Sequence, residues 1–431
     1  MSYRKASILK NLDWFLVTLV VLLVFFGWVN IISATSNIEL ADWLDWNGKA
    51  GKQLLWMGIC VLFGLVIVNI ESEFFIRTSM LQYLFTLLLL VAVLIIGKKI
   101  GGARSWFSLG GFSLQPSEFA KPTTALALAY YLSRDSSKWK SLRSRILSIL
   151  IVGLPAGLIL LQPDAGTVLV FAGFVFVLYR EGLSGNVLIL GFASLLLAIA
   201  TILFGSWGGI EWFWGGWVIL GSGILYIIRE ATVPRKRKSL TMWGSIMLIA
   251  GLFLSVGLHT GMEKVLKPHQ KERIHVLFGI DVNNPDADYN IRHAKAAIGS
   301  GGFSGKGWMN GPMTAYSFVP EQETDFIFCT IGEEWGYIGS FFVVLLFTML
   351  IIRVVVIAER QRSRFTRVYA YGVASILFMH FLVNIGMVLG LAPVIGIPLP
   401  FFSYGGSSLL GFTFLLSVLL RLDGERFKML R

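Results

Sequence analysis

The sequence predicts an all-α polytopic membrane protein with about 12 transmembrane helices and a long extracytoplasmic loop. Three observations predict it. Hydrophobic residues make up 55% of the 431 positions and charged residues only 14%, where a soluble domain carries about 25% charge; mean hydropathy is +0.71. Apolar runs recur at the roughly 20-residue length that a helix needs to cross the hydrocarbon core. Basic residues gather in short clusters between those runs, so the net charge of +12 reads as a topology signal and no nucleic-acid partner is expected.

The first apolar run, in MSYRKASILKNLDWFLVTLVVLLVFFGWVNII, is too long for a signal peptide and has no A-x-A site after it, so it reads as a retained span. Spans are expected near 14–34, 51–70, 78–97, 118–132, 146–161, 165–180, 187–205, 212–229, 240–258, 327–352, 369–390 and 407–420. Only GSWGGIE separates the seventh from the eighth, and tryptophans cluster around it as they do at a lipid–water boundary. Residues 187–229 therefore read as a helical hairpin in a single integral-membrane domain spanning 1–431. Cys60 and Cys329 lie in apolar segments without metal-ligand spacing and read as buried thiols.

An even number of spans puts both termini on one side. Of the 37 basic residues, 24 fall on segments sharing that side, which makes it the cytoplasmic one. The outer side nevertheless carries Lys98, Lys99 and Arg104 before the fourth span, and Arg292, Lys295 and others in the large loop 259–326. Positive charge placed against the topology signal implies an anionic ligand, with a phosphate as the obvious candidate.

Several polar groups sit where a membrane protein bears them at a cost. VPEQETDFIF (319–328) alternates Glu321, Glu323 and Asp325, which an extended or turn backbone would point to a common side. If a helix begins at Thr324, Asp325 is instead a first-turn carboxylate favoured by the dipole. Beside an apolar run, partial desolvation would raise the pKa of such an acid and improve it as a proton acceptor. GEEWG adds Glu333 and Glu334, which need a partner or a polar cavity.

Glu118 and Lys121 are three apart, so they either pair with one another or share a ligand-facing helix face. Arg292 and Lys295 have the same spacing, which suits a diphosphate grip and interfacial snorkelling alike. Asp164, in LLQPDAGT, is open to three readings: reactive acid, helix cap or hydrogen-bond hub. The Pro- and Gly-rich GLAPVIGIPLPFFSYGGSS (390–408) reads as a broken passage, tolerated at membrane depth only inside protein or against a wet cavity. Neither phosphate-binding glycine motif is met.

In the stretches GARSWFSLGGFSLQPSEFAK, QPDAGT, AIGSGGFSGKGW, VPEQETDFIF, IGEEWG, VNIGMVLG and PVIGIPLPFFSYGGSS, the chain resembles the SEDS family of the bacterial cell envelope. GKGW favours the family's rod-shape branch over its division branch. The resemblance implies a peptidoglycan glycosyltransferase of the inner membrane that polymerises lipid II on the outer face, by inverting transfer. It also implies a class B penicillin-binding protein, a transpeptidase, as partner. Asp325 matches the family's essential aspartate, the candidate base; Glu118 and Lys121 match its QPSE-x-x-K pair, Asp164 its QPD-x-GT aspartate, and Arg104 its outer arginine-bearing loop. Arg104, Lys121, Arg292 or Lys295 would offset the diphosphate. A divalent cation such as Mg2+ is left open as cofactor, because the sequence holds no recognisable metal cage. Two departures stand out: Glu323 occupies a position that is often His in the family, and 12 spans exceed the family's usual 10, with the 187–229 pair as the extra one. Two other readings stay open, a flippase for the same lipid and a non-catalytic scaffold.

Overall fold

The computed structural model describes residues 11–35, 46, 48–100, 103–109, 112–134, 141–194, 251 and 285–426. Contacts divide the chain into two units, 1–183 with 289–431 and 184–288. In the first, α1 (Trp14–Thr35), α2 (Lys49–Asn69) and α3 (Ser72–Ile96) lead into a small antiparallel sheet of β1 (Lys98–Ile100), β2 (Ala103–Leu109) and β3 (Phe112–Leu114). There follow α4 (Pro116–Arg134), α5 (Leu142–Leu160), and the short α6 (Ala165–Ala172) and α7 (Phe174–Arg180). The second unit contributes α8 (Gly185–Ser194) and the first residues of α9 (Pro285–Ser300). The chain closes with α10 (Pro312–Ala315), α11 (Ile327–Glu334), α12 (Gly336–Glu359), α13 (Arg364–Val388) and α14 (Gly406–Gly424).

Among the described residues, seven helices are long and apolar enough to span a membrane: α1, α2, α3, α5, α12, α13 and α14. The protein is therefore an all-α polytopic membrane protein with one small sheet, which the sequence had suggested only as a loop. The helices sort by burial. In α13 and α14, 61% and 67% of the apolar window is buried, against 22–39% in the other five, so these two are inner helices. α4 joins them: it is 19 residues long, but Ser117, Glu118, Lys121, Thr123 and Thr124 are all buried along it, and such a helix belongs inside protein rather than in lipid. The expected span 212–229, all of 240–258 but residue 251, and most of 187–205 lie outside the described residues.

The expected span 327–352 is two helices. The chain turns at Gly336 (φ +62°) between α11, every residue of which is buried, and α12. Breaking a helix orphans N–H and C=O groups, and the preceding loop takes them up. Lys306 and Gly307 N–H donate to the carbonyls of Glu333 and Glu334, at 3.1 and 2.9 Å. Tyr337 and Ile338 N–H donate to the carbonyls of Gly302 and Phe303, at 3.0 and 3.2 Å. The break lets Glu333 and Glu334 turn inward instead of facing lipid.

Ion pairs show which helix ends lie together. Asp13, just before α1, accepts from Arg353 near the end of α12 (Nη2 2.7 Å) and from Arg360 (2.8 Å). Arg360 also donates to Asp423 of α14 (Nε 3.0 Å), which Arg426 reaches at 2.9 Å. Arg180 pairs with Glu359 at 3.1 Å, and Arg364 with Glu181 at 2.8 Å. The start of α1 and α13 and the end of α7, α12 and α14 therefore share one end, as the alternation of spans requires. Burial pushes the Asp13 carboxyl up, but hydrogen bonds from Arg353, the Leu16 N–H and Arg360 outweigh it and hold the group below its ordinary 3.8.

A group depressed in this way stabilises the fold above its unfolded value and stops doing so as pH falls through the folded one. Asp13→Asn is expected to lower stability by about 2 kcal/mol near neutral pH. The gap between variant and parent should then close as the pH drops below 3.8, followed by thermal unfolding in detergent.

Candidate functional site

At the end of the bundle opposite those ion pairs, α4 begins with a buried acid and a buried base. Lys121 Nζ donates to both oxygens of Glu118, at 2.8 and 2.9 Å, and meets His380 Nε2 of α13 at 2.9 Å. The three side chains are 1%, 3% and 2% exposed. His380 Nδ1 lies 3.2 Å from the Pro398 carbonyl. A carbonyl only accepts, so Nδ1 bears the proton and Nε2 is the acceptor for Lys121. Phe412 of α14 closes the group, its ring 5.0 Å from Lys121 Nζ and edge-on to His380. Glu118 and Lys121 thus pair with one another, and they do so as part of a chain that ends in the broken passage 389–405.

That passage carries the next group. Asn384, one turn after His380 on α13, donates to the carbonyls of both Asp325 (2.8 Å) and Ile397 (2.7 Å). Ser403 Oγ donates to the Thr324 carbonyl at 2.6 Å, and Tyr404 N–H to that of Glu323 at 2.9 Å. The backbone of 323–325 is so fastened to the passage at several points. Asp325 is half-buried, and a β-carbon added at Gly396 (φ +70°) would stand 3.4 Å from its Oδ2. On α6, a β-carbon at Gly166 would come 2.5 Å from the Ile395 carbonyl. Glycine at these two positions lets the passage lie against α6 and Asp325 together.

Asp164 caps α6. Its Oδ1 accepts from Thr167 N–H at 3.0 Å, while Oδ2 accepts from Thr167 Oγ1 at 2.9 Å and from Gln115 Nε2 at 3.0 Å. Gln115 N–H in turn donates to Ser407 Oγ at 2.9 Å. Of the three readings of Asp164, cap and hub describe these contacts.

The acids of 321–325 do not share a side. The segment is a series of turns with Glu321 at φ +59°. Exposed Glu321 accepts from Thr324 Oγ1 at 3.0 Å, buried Glu323 pairs with Lys49 at the start of α2, and only Asp325 faces Gly396. Glu323, at the position where histidine was noted as usual, is thus engaged with α2. Glu333 lies wholly buried and accepts from the N–H groups of Met313 (3.0 Å) and Thr314 (2.8 Å) and from Lys306 Nζ (3.0 Å). Glu334 accepts from Ser33 of α1.

The outer cations divide. Arg292 and Lys295 are exposed on α9, and Lys295 lies against Gly390 at the end of α13, where a β-carbon would come 2.5 Å from its Nζ. Lys295 therefore stands at the same end of α13 as Asn384 and Asp325. Arg104 is exposed on β2, cross-strand from Lys99, and no contact joins it to Glu118 or Lys121. Among the described residues no three His, Cys, Asp or Glu side chains come together as a metal site.

The profile of the FtsW/RodA/SpoVE cell cycle proteins matches residues 13–210 and 218–428. The chain belongs to this family. It is 32% identical to the peptidoglycan glycosyltransferase MrdB of Escherichia coli K12 over 84% of this chain and 82% of that one. It is 32% identical to the peptidoglycan glycosyltransferase RodA of Treponema pallidum over 83% and 86%. Its fold matches a chain from a peptidoglycan synthase complex, solved to explain how polymerization and crosslinking are coordinated, at 26% identity and TM-score 0.71, covering 97% of this chain and 99% of that one. The RodA crystal structure of Thermus thermophilus matches at 26% identity and TM-score 0.61, covering 96% and 98%.

The sequence singles out neither His380 nor Asn384, although Asn384 lies in the stretch VNIGMVLG. The signal for them was available: two polar side chains four apart in an apolar span share a face, and such residues point inward. Removing one partner from a buried ion pair costs about 3–5 kcal/mol, whereas replacing the whole pair with apolar groups is close to neutral. Glu118→Ala is therefore expected to destabilise the protein by about that amount, and Glu118→Leu with Lys121→Met to recover most of it, read by thermal unfolding.

Proposed function

We propose that Asp325 is the general base of a peptidoglycan glycosyltransferase that polymerises lipid II into glycan strands during cell elongation. The activity is that of the family to which the chain belongs; the assignment of the base is carried by one observation, the half-buried Asp325 carboxylate held beside Gly396 in the passage that Asn384 and Ser403 fasten. Transfer from a lipid diphosphate releases an anion that needs no acid to expel it. The acceptor sugar must lose its 4-hydroxyl proton as it attacks, and one carboxylate suffices to receive it. A single displacement inverts the α-linked donor to a β-1,4 bond, unlike glycosidases, which flank the bond with two carboxylates.

The remaining residues take roles that follow from their exposure. Arg292 and Lys295 are free of burial and stand near the same helix end, so they offset the diphosphate; Arg104 on its hairpin serves an outlying part of the lipid headgroup. Lys121 is committed to Glu118 and His380 and works as a positioning residue, as does the Asp164 cap. A divalent ion, if one takes part, arrives with the diphosphate. Holding two lipid-linked sugars in one cleft supplies rate through orientation.

In this reading both termini are cytoplasmic, the site faces the outer side of the bacterial inner membrane, and 259–326 is the outer loop. Residues 187–229 are a hairpin added to a 10-span core. The partner is a class B penicillin-binding protein, a reading supported by the likeness to a chain of a complex that couples polymerization with crosslinking.

Asp325→Asn is expected to abolish polymer formation from purified lipid II, by at least about 100-fold, with unfolding temperature unchanged. Normal chain growth by that variant would remove Asp325 from the role, and transbilayer movement of lipid II without chain growth by the parent would replace the enzyme with a flippase.

A further inference from the structure

At the end of the bundle where α1 begins and α14 ends, a cavity of about 280 Å3 is set among α3, α4 and α5. Its lining is amphipathic. Met80 and Leu147 form the apolar part, and Tyr130, Arg134, Arg143 and Ser144 the polar part. The Arg134 guanidinium stacks on the Tyr130 ring at 4.4 Å.

Three features separate this place from an ordinary topology anchor. The arginines that bridge helix ends there, Arg180, Arg353, Arg360 and Arg364, each pair with a carboxylate. Arg134 and Arg143 pair with none among the described residues, yet they come from different helices to one cavity. Second, α5 begins with no acid in its first turn and with Arg143 in it, against the partial positive charge of a helix N-terminus. Among the described residues, two guanidinium groups and that helix end meet no carboxylate at this site. Third, exposed apolar side chains follow on both flanking helices, Leu81 (67%) and Leu84 (55%) on α3, Ile146 (49%) and Leu150 (52%) on α5.

We propose that this notch binds an anionic phospholipid of the leaflet at this end of the bundle, its phosphate between Arg134 and Arg143 and its acyl chains along α3 and α5. A basic pocket between transmembrane helices on the cytoplasmic side suits such a headgroup, and the apolar flanks suit its tails. A soluble phosphate has no use for those flanks. Because α4 carries Glu118 and Lys121 at one end and Arg134 at the other, the lipid steadies the helix that organises the end bearing the proposed base.

The test uses the purified full chain in neutral detergent, with phosphatidylglycerol, phosphatidylcholine, inorganic phosphate or an isoprenyl diphosphate added, read by native mass spectrometry and by unfolding temperature. Phosphatidylglycerol is expected to bind and to raise the unfolding temperature, while phosphatidylcholine and inorganic phosphate leave it unmoved. Arg134→Gln with Arg143→Gln should weaken phosphatidylglycerol binding by about 25-fold, about fivefold for each charge. Arg143→Gln alone relieves charge at a helix start and so folds; it should lose about fivefold, whereas Arg145→Gln, outside the cavity lining, should retain parental binding. Equal binding by parent and double variant, equal stabilisation by phosphatidylcholine, or preference for the isoprenyl diphosphate would each overturn the assignment.

Discussion

The end of the bundle that bears the proposed base depends on one buried ammonium. Lys121 is almost wholly buried, and its ammonium donates to Glu118 one turn earlier and meets the His380 ring. An ionised group at that depth fixes its surroundings, because any rearrangement that parts it from its partners leaves a charge in apolar protein. His380 passes the constraint on: its second nitrogen grips the Pro398 carbonyl, and the broken passage is thereby tied to α4 and α13 at once. Asn384 adds the last link, joining Ile397 to Asp325. The position of the proposed base is set by polar contacts running through four elements.

The two ends of the bundle use charge differently. Where α1 begins and α14 ends, arginines and acids bridge helix ends in a ring of partly exposed pairs, Asp13 and Asp423 each serving two arginines. These clamp the helices. At the other end Glu118, Lys121, His380 and Asn384 are buried and their contacts directional, as expected where irregular backbone at membrane depth must satisfy every N–H and C=O inside protein. The loop 301–307 illustrates the demand, closing both sides of the helix break at Gly336.

Much of this was legible in the residues. Hydropathy finds the long spans because lipid imposes a length, and the 165–180 segment appears where expected, though Gly173 divides it. The i, i+3 spacing of Glu118 and Lys121 offered their pairing as one of two readings, and the structure pairs them. What escaped was determined by contacts distant in sequence. Nothing local says that Glu323 will reach Lys49, that Glu333 will cap α10, or that the alternating acids will be splayed by turns rather than aligned by an extended chain. An apolar run from 327 to 352 looks unbroken because the signal for the break is a glycine whose partners are backbone groups of the preceding loop. His380 and Asn384 were hidden by their surroundings, two polar residues in a helix whose average is apolar.

The central claim is a geometric one about Asp325, and a structure of the protein with a non-reactive lipid II donor and a glycan acceptor tests it most directly. The account predicts the acceptor 4-hydroxyl within about 2.6–3.2 Å of an Asp325 carboxylate oxygen, with the diphosphate toward Arg292 and Lys295. An acceptor hydroxyl resting on a different carboxylate, with Asp325 turned to the diphosphate or remote from both sugars, would contradict it.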